Sequence, residues 1–201
     1  MEKKSKSSND EMNIREVKKK LGAQFSFIFD FINSIVKDLE LNKDAKILDV
    51  GTGQGRMAII LALNNYKVIT GEPEGDDPEY AQQDWLANAK KVNVDHLITF
   101  KYFEAENLPF EDNFFDAIFS MGALHHIGDK TTAFSEFSRI LKPNGTICVF
   151  EPAPKVIEMI RKDHPSHPDA EDPRNYTHTL PLSVAIKDSP TFNAFIITKK
   201  E

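Results

Sequence analysis

The sequence predicts an α/β fold: a doubly wound, seven-stranded sheet in a three-layer sandwich, closed by an antiparallel C-terminal hairpin strand. Three observations carry this. Lys46-Ile47-Leu48-Asp49-Val50 is a short apolar run that ends in glycines at alternate positions, Gly51, Gly53 and Gly55, and passes into the apolar helix formers of Arg56 to Asn64. Further strand-length runs then alternate with helical patterns, which is the signature of parallel βαβ units. The last two strand-like runs, Leu180 to Ile186 and Phe192 to Thr198, are joined only by Lys187-Asp188-Ser189-Pro190. That link is too short for a parallel crossover.

Residues 1–13 read as a polar, Lys/Ser-rich tail, and residues 14–201 as a single domain. From Ile14 to Leu39, Phe25, Ile28, Ile32, Ile35 and Leu39 recur at helical spacing, and Gly22 is placed to split the helix. Phe27, Phe29 and Phe31 widen its apolar face. Asn42 to Asp44 is a turn before the first strand. The glycines beyond that strand lack a Cβ, so the backbone can turn sharply and let a ligand lie on it. Backbone N–H groups at the following helix start suit an anionic or polar ligand group. Lys67 to Thr70 is the second strand, closed by Gly71-Glu72. A carboxylate at that place can accept hydrogen bonds from both hydroxyls of a ribose. Asp77-Pro78 has the form of an N-cap and first helical residue, for a helix running to about Lys91.

Leu97 to Phe103 is the third strand and Ala117 to Ser120 the fourth. Asp129 caps a helix over Lys130 to Leu141 that stops at a turn, Lys142-Pro143-Asn144-Gly145. Thr146 to Phe150 is the fifth strand, and Cys148 within it is read as buried packing. A helix follows over Lys155 to Lys162. Asp163 to Thr179 reads as a mobile, solvated Pro/Asp/His-rich loop. It carries His164, His167 and His178, but their irregular spacing argues against a metal site, and no metal is expected.

Composition narrows the function. The formal net charge of −6 argues against nucleic acid as a partner, because phosphate contacts need clustered Lys and Arg. No apolar run approaches the roughly 20 residues that span a bilayer, so no membrane partner is expected. The N-terminus lacks the apolar core of a secretory signal, and the single cysteine suits a reducing compartment, so the expected location is cytoplasmic.

The spacing Asp49-x-Gly51-x-Gly53-x-Gly55 resembles the first motif of class I S-adenosylmethionine-dependent methyltransferases. A dinucleotide fingerprint would need glycine where Arg56 stands. Glu104-Ala105-Glu106-Asn107-Leu108-Pro109-Phe110, then Asn113-Phe114-Phe115-Asp116, resembles the same family's "D-A-x-x-L-P-F … F-D" pattern, with Glu in place of the usual Asp. Met121-Gly122-Ala123-Leu124-His125-His126 resembles its post-strand segment, and Ser138-Arg139-Ile140-Leu141-Lys142-Pro143-Asn144-Gly145 its "R-x-L-K-P-G-G" run. The resemblance implies a Rossmann-like domain that binds S-adenosyl-L-methionine. Gly51, Thr52, Gly53 and Gly55 would serve the amino-acid part, Asp49 would order that loop or reach the amino group through water, and Glu72 and Pro73 would serve the ribose. Glu104, Ala105 and Glu106 would serve the adenine, and Ser120 and Met121 the methionine part.

The resemblance further implies an N-terminal helix that caps the site. His125 and His126 are the candidate general bases, needed only if the acceptor must lose a proton. The matched motifs are nearest the branch acting on small molecules, including quinone-precursor and sterol-type enzymes, so the expected acceptor is a small molecule. The short segment from Pro152 to Pro181 leaves the pocket open or completed by a second subunit, and a homodimer is a candidate state. Two other readings stand beside this: a non-catalytic cofactor-binding subunit, and an NAD-type oxidoreductase.

Overall fold

The computed structural model describes residues 13–75 and 84–200. The polar tail up to residue 12 and the helix start at Asp77-Pro78 lie outside the described residues. Strands β1 (Ile47–Val50), β2 (Val68–Glu72), β3 (Ile98–Tyr102), β4 (Phe115–Met121), β5 (Leu141–Pro152), β6 (Leu182–Asp188) and β7 (Phe192–Lys199) form one sheet in the order β3-β2-β1-β4-β5-β7-β6. The pairs β1–β2, β2–β3, β1–β4 and β4–β5 are parallel, and β7 runs antiparallel to both β5 and β6. Strand order reverses beside β1, which opens a crevice at the carboxyl ends of β1 and β4.

Helices are α1 (Ile14–Asp38), α2 (Arg56–Leu63), α3 (Trp85–Lys91), α4 (Lys130–Ile140), α5 (Pro154–Ile160) and α6 (Arg174–Thr177). Successive strand residues point to opposite faces. Thus Ile47, Ala117 and Cys148 join one apolar cluster with α1 and α2, while Leu48, Ile118 and Ile147 join the other with Phe134 and Phe137 of α4. Met57 to Ala62 of α2 are all buried, so the helix is apolar on every side and needs cover away from the sheet as well. Helix α1 gives that cover through Phe25, Ile28, Phe29, Ile32, Ile35 and Val36. Its expected break is present, for Gly22 has φ 87° and ψ −176°. Phe29 is buried and Phe31 packs on the core, but Phe27 is 59% exposed.

Three local expectations change. Helix α3 begins at Trp85, where the Asp84 carboxylate accepts from the Ala87 N–H at 3.1 Å. Residues 142–145 do not end the ladder. They bulge from β5, with the register jumping from Phe115↔Leu141 to Ala117↔Thr146 and Asn144 at φ 61°. The segment 163–179 is not a solvated loop, since His167 and Thr177 are buried and the Glu171 N–H donates to Glu151 at 3.0 Å. It also contains the short α6. Among the described residues, no helix is long and apolar enough to cross a membrane.

Candidate functional site

A cavity of about 560 Å³ opens at the carboxyl ends of β1, β2 and β4. Its walls are the glycine loop after β1, the turn after β2, residues 103–106 after β3 and the segment from Met121 to Gly128 after β4. The volume falls within the range of small-ligand pockets, about 300–1,000 Å³.

The glycine loop is held by both its neighbours and its backbone. Gly51 and Gly55 have φ 90° and 76°, a region that disfavours any side chain. A Cβ on Gly51 would collide with the Ala123 side chain, and one on Gly55 with Trp85. The Gly51 N–H donates to the Gly71 carbonyl at 2.9 Å, which ties the loop to β2. The Gly53 N–H donates to Glu72 Oε2 at 3.0 Å. Glu72 is 4% exposed and stands on the cavity wall where the loop and β2 converge.

Behind this wall lies a buried polar chain. Thr70 Oγ1 donates to Asp49 Oδ2 at 2.8 Å, so the Thr52 hydroxyl is the donor in the 2.9 Å contact between Thr52 and Thr70. Burial pushes the Asp49 carboxyl up to about 7, opposed by the Thr70 hydroxyl. Asp49 therefore orders the loop from behind and does not line the cavity. Between pH 3.8 and about 7, the folded chain keeps a proton that the unfolded chain has lost. Stability from this group therefore falls as pH rises through that window and is level above it. The expected loss is about 4 kcal/mol. Asp49→Asn removes it, so urea unfolding at pH 5 and pH 8 should show the variant gaining on the wild type at the higher pH. A constant difference between the two proteins would refute this.

At the far end, a clamp sets residues 104–110. Arg139 of α4 donates to the carbonyls of Leu108 and Phe110 at 3.0 and 2.8 Å. It also pairs with Glu136 at 2.6 Å, and Glu136 accepts from the Leu108 N–H at 2.9 Å. Glu104, Ala105 and Glu106 thereby reach the cavity wall. Glu106 Oε1 also accepts from the Asp129 N–H at 3.0 Å, which ties the loop to the start of α4.

Of the expected residues, Gly51, Thr52, Gly53, Glu72, Pro73, Glu104, Ala105, Glu106 and Met121 line the cavity. Gly55 shapes the turn behind it. Ser120 is buried and is not among the residues that line the cavity. The two histidines separate. His126 is exposed and lines the cavity, whereas His125 is buried off the wall with Nδ1 against Glu151 Oε2 at 2.7 Å. His125 is thus no direct base for a molecule in the cavity.

Sequence reasoning missed Arg56, noticed only as the residue that breaks a dinucleotide pattern. It lines the cavity, and its guanidinium contacts Gln24 of α1 and Gln54, the latter at 2.8 Å. Burial holds its pKa below the usual arginine value. Through Gln24, α1 contacts a residue that lines the cavity. Glu151 and His167 were also missed as partners of His125. The His125 and His167 rings lie 5.0 Å apart.

A family model described as "Methyltransferase domain" matches residues 48–149, about half of the chain. The chain is 31% identical over 111 residues to the 27-O-demethylrifamycin SV methyltransferase of Amycolatopsis mediterranei, covering 55% of this chain and 40% of that one. It is 30% identical over 130 residues to the demethylmenaquinone methyltransferase of Staphylococcus haemolyticus, covering 64% of this chain and 52% of that one. The match therefore spans about half the length of these curated relatives. The fold is shared with the geranyl diphosphate C-methyltransferase of Streptomyces coelicolor, solved with Mg²⁺, geranyl diphosphate and S-adenosyl-L-homocysteine. That structure has a TM-score of 0.61 at 14% identity and covers 84% of this chain and 76% of that one. The glycine loop, the sheet order with its antiparallel β7 and the match over residues 48–149 agree: this chain belongs to the class I S-adenosylmethionine-dependent methyltransferase family.

Proposed function

We propose that the chain binds S-adenosyl-L-methionine in this cavity and transfers its methyl group to a small-molecule acceptor. The observation that carries the proposal is Glu72, a carboxylate buried on the cavity wall at the end of β2 and oriented by the Gly53 N–H. The donor set fits such a ligand. Glu72 is placed to accept from ribose hydroxyls. Ala105 offers a backbone N–H beside the Glu104 carboxylate, a donor and an acceptor for an adenine edge. The glycine loop and the Arg56 guanidinium suit the ammonium and carboxylate ends of an amino acid.

The bound sulfonium supplies an electrophilic methyl group, and the protein's part in an in-line displacement is chiefly positioning. Met121 and Gly122 wall the end of the cavity near His126. His126 is the residue there able to take a proton from an acceptor that must lose one. The relatives' named acceptors, 27-O-demethylrifamycin SV and demethylmenaquinone, support a small-molecule acceptor.

Calorimetric titration with S-adenosyl-L-methionine, S-adenosyl-L-homocysteine and NAD tests the cofactor. The expected result is micromolar binding of the first two and none of the third; binding of NAD alone would overturn the reading. Release of S-adenosyl-L-homocysteine with a panel of phenolic and quinol acceptors then tests turnover. Binding without turnover on any acceptor would favour a non-catalytic subunit.

A further inference from the structure

Beside the cavity, three histidines from two distant segments converge. His125 and His126 follow β4, and His167 lies on the segment between α5 and α6. One ring nitrogen from each falls within 4.8 Å of the other two. The ring centroids are 4.3, 5.0 and 5.3 Å apart.

Their hydrogen bonds dictate the tautomers. Glu151 Oε2 lies 2.7 Å from His125 Nδ1 and also accepts from the Glu171 N–H, so it acts as a carboxylate and Nδ1 carries the proton. In the neutral ring the lone pair of His125 is then on Nε2, which is buried and has no hydrogen-bond partner. A buried nitrogen acceptor left this way is costly unless something fills the position. In His167, Nδ1 faces the Pro168 carbonyl at 2.9 Å. A carbonyl only accepts, so this ring too carries its proton on Nδ1 and its lone pair on Nε2.

We propose that His125, His126 and His167 bind a divalent first-row transition metal, zinc in the first instance. Three neutral imidazoles suit zinc, and three protein ligands leave a fourth position for an oxygen donor, the pattern of an open site. Tetrahedral Zn–N bonds of about 2.0–2.1 Å put ligand nitrogens roughly 3.3 Å apart, so closure needs side-chain shifts of about 1 Å. Glu151 then has the role of the carboxylate that orients a metal-bound histidine through its other nitrogen. His126 belongs to both the triad and the cavity wall, so the metal would sit against the cavity. The site does not depend on the cofactor reading.

The test is titration of tag-free, chelator-treated protein with Co²⁺ and Zn²⁺, followed by the visible Co²⁺ spectrum and by calorimetry. The expected result is one equivalent bound, with an intense tetrahedral Co²⁺ band that Zn²⁺ displaces. His167→Ala should abolish the band and weaken Zn²⁺ at least tenfold. Glu151→Gln should weaken Zn²⁺ by about 10- to 100-fold. His96→Ala, remote from the triad, should change nothing. Binding of S-adenosyl-L-methionine to His167→Ala, measured alongside, reports whether the rest of the chain is intact and whether the cofactor reading stands by itself. No stoichiometric metal, or metal that binds His167→Ala as tightly as the wild type, would overturn the proposal.

Discussion

Glu72→Ala is expected to bind S-adenosyl-L-methionine about 100-fold more weakly than the wild type, or worse. A carboxylate that accepts from both ribose hydroxyls makes two charge-assisted hydrogen bonds, each contributing about 1.5–3 kcal/mol. The lower end of that sum, about 3 kcal/mol, is already roughly 100-fold in affinity. The substitution also removes the acceptor for the Gly53 N–H, so part of the loss comes through the glycine loop. Glu72→Gln separates the two effects. Its amide oxygen can still accept from Gly53, but the group no longer carries the charge or a second acceptor. Calorimetry on both variants, with thermal unfolding as the check on folding, makes the measurement. If Glu72→Gln bound like the wild type, the carboxylate would not be reading a ribose.

Gly71→Ala is expected to destabilise the fold by about 3 kcal/mol or more, a size reached only by overpacking and similar gross faults. Gly71 lies inside β2, paired with Val50 on one side and Lys101 on the other. A Cβ there would stand well inside 3.0 Å of both the Lys101 carbonyl oxygen and the Phe103 ring. A backbone carbonyl in a paired strand cannot swing aside, so β3 or the segment after it has to move. Because the Gly71 carbonyl also accepts from the Gly51 N–H, that shift disturbs the glycine loop, and ligand binding should fail with stability. Gly75→Ala is the control. It has φ 86° and nothing within 4 Å of a Cβ, so only the strain of a left-handed alanine remains, about 1 kcal/mol. Similar unfolding midpoints for the two variants would show that the space at Gly71 is not limiting.

The outline of both predictions was legible in the sequence. Val68–Glu72 sits where the strand pattern put it, and the glycine loop and residues 104–106 lie on the cavity wall. These features are local: a strand ending in glycine, an acid closing the next strand, a Leu-Pro-Phe turn. Backbone conformation and side-chain alternation over a few residues encode them. The helix boundaries were less legible: the sequence pointed to a start at Asp77-Pro78, whereas the structure caps α3 with Asp84.

The sequence by itself therefore determined the order of elements, the antiparallel close of the sheet and the cavity's principal lining. The tertiary structure alone decided what lies behind and beside that lining. It buried Asp49 and Ser120 off the cavity lining, joined Gln24 to Arg56 across 32 residues, and joined His125 to Glu151 across 26. It also folded the 163–179 segment down, so that His167, and not a set drawn from that segment alone, completes the histidine triad. The physical reason is range. Periodicity and turn chemistry act between neighbours, whereas these contacts arise only when the sheet stacks β1, β4 and β5 side by side and brings the ends of distant strands together.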